Sequence, residues 1–148
     1  MSRIITNVDE IYGYALKLLR NRDYSLATLR EKLEARFGEV PQALFEQLLQ
    51  KNFLNDRRFA ENYVAKRKHR GPAVVREELM ARGIAAELAD EMVSGVEWPS
   101  LHDAATAKMN DWKLRAPLQS RDAARLFRAL QRLGFNEDAI REEIEPLL

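Results

Sequence analysis

LREKLEARFG (Leu29–Gly38), VREELMARGI (Val75–Ile84) and LFRALQRLGF (Leu126–Phe135) are three near-copies of one pattern. Aligned on Leu33, Leu79 and Leu130, they lie 46 and then 51 residues apart, and a glycine (Gly38, Gly83, Gly134) follows each leucine by four or five positions. A period of that length is a supersecondary unit repeated along the chain. A lone unit of this size buries too little apolar surface to be stable, so neighbouring units must share their cores. The chain therefore predicts an array offering a long surface to a large partner.

Working outward from these copies, apolar residues recur at helical spacing almost throughout. Val8, Ile11, Tyr12, Ala15, Leu18 and Leu19 form one stripe, and Leu26, Leu29, Leu33 and Phe37 the next. Ser25 is placed to cap the second helix, Gly38 to close it, and Pro41 to open a third with Leu44, Phe45, Leu48 and Leu49 inside. The plan then repeats. Asp56 is placed to cap a helix bearing Phe59, Tyr63 and Val64, Gly71-Pro72 breaks the chain, and Gly83 ends the helix of Val75 and Leu79. Leu88, Met92 and Val93 complete that unit. Leu101, Ala105, Met109 and Trp112 begin the third, followed by helices after Ser120 and Asn136. No segment alternates with β-branched residues, so no sheet is expected. The expected fold is all-α: three tandem three-helix repeats, residues 1–55, 56–98 and 99–148, forming an elongated, curved array.

Composition narrows the function. Of 148 residues none is cysteine, so disulfides and thiolate clusters are excluded. Formal net charge is +1, and basic and acidic residues balance within each unit, so any nucleic-acid role must come from local clustering. Met1-Ser2-Arg3-Ile4-Ile5 meets polar residues at once, so no signal peptide is expected, and no apolar run is long enough to span a bilayer. His69 and His102 lack ligating company, so no metal is expected. The adjacent pairs Glu77-Glu78 and Glu142-Glu143 diverge around a helix and do not form an acid/base couple. Trp98 and Trp112 read as packing residues more readily than as base-stacking platforms. With no phosphate loop or nucleophile arrangement, neither enzyme activity nor a cofactor is expected.

Two basic clusters remain. Lys66-Arg67-Lys68-His69-Arg70 concentrates positive charge at one helix end, with Arg57, Arg58 and Arg76 as extensions. Such a run can contact phosphates or carboxylates, or it can be a solvated face complementing the helix dipole. Arg121, Arg125, Arg128 and Arg132 follow in steps of four, three and four, on the side of a helix opposite Leu126, Leu130 and Leu133. That stripe reads equally as a phosphate-contacting face and as ordinary outward charge.

At the middle unit the residues become specific. LNDRRFAENYVAKRKHRGP (Leu54–Pro72) followed by VREELMARGI resembles the RecX family of bacterial recombination regulators, through Leu54-Asn55-Asp56, Arg58-Phe59-Ala60, Arg67, Gly71-Pro72, Arg76, Glu78-Leu79 and Gly83-Ile84. YALKLLRNRDYSLATLREKL (Tyr14–Leu33) and LGFNEDAI (Leu133–Ile140) are similar to the family's opening and closing helices, so the likeness spans roughly residues 8–145. The chain departs from the pattern in its near-zero net charge and in Ala85-Ala86, where a polar cap is usual. The resemblance implies a non-enzymatic cytoplasmic monomer that binds the RecA filament on single-stranded DNA. It would restrain RecA's ATPase, strand exchange and co-protease action, while the departure in net charge argues against strong independent DNA binding. An alternative stays open, because three-helix units with short turns also build helix-turn-helix regulators that read duplex DNA.

Overall fold

The structure, a computed structural model, describes residues 7–148. Residues 1–5, read above for a signal peptide, lie outside the described residues. Among the described residues the regular structure is helical, with no strand, as the all-α reading expects. The helices are α1 (Val8–Asn21), α2 (Leu26–Phe37), α3 (Gln42–Gln50), α4 (Asp56–Lys66), α5 (Pro72–Ala81), α6 (Ala86–Ser94), α7 (Leu101–Asp111), α8 (Ser120–Arg132) and α9 (Glu137–Ile144). Short 3-10 turns cover Lys68–Arg70 and Glu145–Leu147.

Local chemistry sets the boundaries. Asn7, Ser25, Ser100 and Asn136 each accept a backbone N–H from the first turn of the helix that follows, satisfying donors that have no intrahelical partner. α4 departs from the expected capping. Its N-terminal acceptor is Asn55, which takes the Arg58 N–H at 3.0 Å, while Asp56 reaches across to the Leu26 N–H at 2.8 Å and serves α2. An acidic side chain beside two helix starts can satisfy either one; packing assigned it to the distant helix.

Helix ends share one device. After α3, α5, α7 and α8 the chain folds back so that an N–H reaches the carbonyl five residues earlier: Phe53 to Leu48, Ile84 to Leu79, Leu114 to Met109 and Phe135 to Leu130. The turn requires a left-handed residue. Gly83 and Gly134 supply it at φ 83° and 98°, but Asn52 and Lys113 supply it at 62° and 56° without being glycine.

By packing, the described chain divides into two compact units, one running up to Tyr63 and including Leu79–Met92, the other combining Val64–Glu78 with Val93–Leu148. Helices α4 and α5 therefore each contribute to both. The core of the first unit is built from Ile11, Ala15, Leu29, Leu33, Leu44, Phe45, Leu48 and Leu54, with Tyr24 and Val40. The second has Ala104, Ala105, Leu118, Leu126, Leu130, Ile140 and Ile144, with Met109 and Trp112 against its margin. The anchor residues Leu33, Leu79 and Leu130 are all 0% exposed. Two residues assigned to apolar stripes face water instead: Val8 at the start of α1 and Leu49 near the end of α3.

Candidate partner-binding surface

Helix α8 has two opposed faces. Leu126, Ala129 and Leu130 are buried, while Arg121, Arg125, Arg128 and Arg132 are all exposed. A helix advances 100° per residue, so the steps of four, three and four hold the four guanidinium groups within a narrow arc. Asp122 is the acidic residue of this helix. Among the described residues none of Arg121, Arg128 and Arg132 makes an ion pair. Arg125 is held differently, its guanidinium carbon lying 3.7 Å from the centre of the half-buried Trp112 ring. Stacking of this kind fixes the head of a long side chain while its donors stay available. The sequence favours packing over base stacking for Trp112; its place under Arg125 depends on a contact between α7 and α8 that the sequence does not show.

The other basic residues are more self-neutralised than their sequence suggests. Arg57 pairs with Glu91 of α6 through both nitrogens, the second at 3.2 Å. That hydrogen bond, followed by the charge attraction, raises the Arg57 pKa and lowers that of Glu91. Arg58 donates to the carbonyls of Asn52 at 2.9 Å and Phe53 at 3.3 Å, closing the turn after α3. Arg70 binds Glu78 at 2.6 Å, and Arg76 lies 3.4 Å from Glu77. Arg67 is half-buried and engaged within the protein. In the 66–70 segment, Lys66 and Lys68 make no ion pair among the described residues.

The structure thus puts Arg57 and Arg58 in the first unit and Lys66, Arg67, Lys68, Arg70, Arg76 and the four α8 arginines in the second. Within the second unit the 66–70 segment meets the C-terminal end of α8. A Cβ on Gly71, at the end of the 66–70 segment, would lie 2.3 Å from the carbonyl oxygen of Leu133, the residue that terminates α8. Gly71 at φ 87° therefore allows the segment to abut the helix end that carries Arg132.

Residues 55–93 match the family described as RecX, second three-helix domain. The regulatory protein RecX of Halorhodospira halophila is 35% identical over 132 residues, covering 86% of this chain and 81% of its own. Those of Chromohalobacter salexigens and Trichlorobacter lovleyi are 37% and 34% identical, covering 86% and 92% of this chain and 86% and 94% of theirs. The crystal structure of RecX from Lactobacillus salivarius aligns with a TM-score of 0.70 over 95% of this chain and 96% of that one, at 19% identity, a likeness of fold. Identity at this level, sustained along nearly the whole length of both partners, is shared ancestry of the entire fold, and the chain belongs to the RecX family.

Proposed function

We propose that this chain is a regulator that binds the RecA filament on single-stranded DNA and restrains its ATPase, strand exchange and co-protease activities. It acts by binding, as a monomer in the cytoplasm, and not by catalysis. Family membership supports the regulatory role. The observation that carries the choice of surface is α8, where four exposed arginines share one face and, among the described residues, none of the four pairs with a carboxylate. Guanidinium groups in such a row suit phosphates and carboxylates, both abundant on a nucleoprotein filament.

Lys66 and Lys68 of the same unit join α8 in this role, Arg70 and Arg76 contribute in a secondary way because each already has an internal acceptor, and Arg57 and Arg58 of the first unit are separate secondary contacts for the same reason. The division into repeats 1–55, 56–98 and 99–148 belongs to the same proposal, and the match at residues 55–93 supports its middle member. Several modest contacts carried on one chain add without any one being strong.

The test is RecA's ATP hydrolysis on single-stranded DNA, titrated with this protein, beside its affinity for duplex DNA as salt is varied. The rate should fall as the protein is added while duplex binding stays weak. Unchanged hydrolysis with tight, sequence-dependent duplex binding would select the helix-turn-helix alternative.

A further inference from the structure

Where the basic segment meets the end of α8, the second unit encloses a cleft of about 330 Å³. That is near the lower limit of the roughly 300–1,000 Å³ usual for ligand sites, which suits one small planar group. Trp98, Leu133 and Phe135 give it carbon surface, and Ala104 and Ala107 of α7 leave it open. The Trp98 indole N–H is already committed to the Val93 carbonyl at 2.8 Å, so what Trp98 contributes to the cleft is ring surface.

Charges of both signs line the same cleft. Asp103 and Asp111 lie on α7 at four-residue steps either side of Ala107, and Lys68 and Lys108 are close by. None of these four makes an ion pair among the described residues. We propose that this cleft takes one unstacked base of a single-stranded nucleic acid, the ring against Trp98 and Phe135, its amino edge donating to Asp103 or Asp111, and its phosphate on Lys68 or Lys108. The proposal rests on the filament reading above and names a direct contact to the DNA strand.

The alternatives use less of what is there. An apolar side chain from a protein would fill the carbon-lined slot and make no use of Lys68, Asp103 or Asp111, while the Lys108 ammonium already lies 6.0 Å from the centre of the Trp112 ring. A lysine or arginine would satisfy the carboxylates and be repelled by the two lysines. A nucleotide alone carries an aromatic face, N–H donors and an anion in one residue. Carboxylate acceptors also impose a preference, since cytosine presents an amino donor where thymine presents a carbonyl.

The experiment uses the full chain and labelled single-stranded oligonucleotides of one length, all-dC, all-dT and an abasic analogue. All-dC should bind several-fold tighter than all-dT, and it should quench tryptophan fluorescence in the unmodified protein but much less in Trp98→Phe. The abasic strand should not quench. Ala107→Phe, on an exposed position of α7, should fill the cleft and weaken all-dC binding about tenfold, with the salt slope falling by no more than the one phosphate held at the cleft. Equal binding of all-dC and all-dT, or quenching that persists in Trp98→Phe, would overturn the proposal even if Ala107→Phe failed to fold. Loss of DNA-free RecA binding in Ala107→Phe, with oligonucleotide binding intact, would also overturn it in favour of a protein side chain. Failure of the filament reading looks different: RecA hydrolysis untouched by the unmodified protein, whatever the oligonucleotides do.

Discussion

The Ser25 hydroxyl donates to the carbonyl oxygen of Arg82, 2.6 Å away and 57 residues further along the chain. The Ser25 Oγ itself accepts the Thr28 N–H at 3.2 Å, so one fully buried side chain caps α2 and satisfies the turn after α5. Replacing it leaves a part-buried donor and a part-buried acceptor unmatched. Ser25→Ala should destabilise the protein by about 1–3 kcal/mol in urea unfolding. A neutral result would mean that water replaces both bonds.

Leu33, Leu79 and Leu130 occupy the same place in the three sequence copies and are each 0% exposed. Substitution by Ala should cost about 2–5 kcal/mol at every one, the range for a core leucine whose surroundings relax only in part. Equilibrium unfolding of the three variants checks this; near-neutral values at all three would dissolve the alignment of the copies.

Two glycines should respond to Ala with opposite signs. Gly13 lies inside α1 with nothing within 4 Å of an added Cβ, so Gly13→Ala should stabilise by about 0.5–1 kcal/mol. Gly83, at φ 83°, would bring its Cβ to 2.3 Å from that of Ala27, so Gly83→Ala should destabilise by more than about 1 kcal/mol. Thermal unfolding of the pair decides it.

His102 of α7 and Glu143 of α9 are joined at 2.8 Å. The hydrogen bond, and then the charge of Glu143, raise the His102 pKa above the ordinary histidine value. Because the folded value is the higher one, the stabilisation is complete below the unfolded pKa, about 6.5, and is lost as pH rises through the folded pKa. An NMR titration should place His102 above 6.5 and show Glu143→Gln lowering it. No movement in that variant would contradict the pairing.

How much of this was legible depends on how local each feature is. Helical periodicity and the Ser25 and Asn136 caps involve neighbours a few residues apart, and the chain shows them directly. The left-handed closures at Asn52 and Lys113 were hidden, because glycine is the only strong marker of such a turn and neither is glycine. Asp56 was read as a cap for its own helix and serves one thirty residues away. The basic clusters were visible as charge, but their availability was not. Arg57 meets a carboxylate 34 residues distant and Arg70 one eight residues on, and only folding reveals which arginines are already engaged. The stripe on α8 passed that test of availability, while the segment at 66–70 passed it chiefly at its lysines.

The central claim is that the arginine face of α8 holds the filament. Its most direct test is RecA ATP hydrolysis on single-stranded DNA, titrated with the unmodified protein and with an Arg121→Glu, Arg128→Glu, Arg132→Glu variant of unchanged helicity. These side chains are exposed, so the fold should survive. The account predicts that the unmodified protein suppresses hydrolysis, less so as salt rises, and that the variant needs at least tenfold more protein for the same effect. A variant that inhibits as well as the unmodified protein at moderate salt would contradict it.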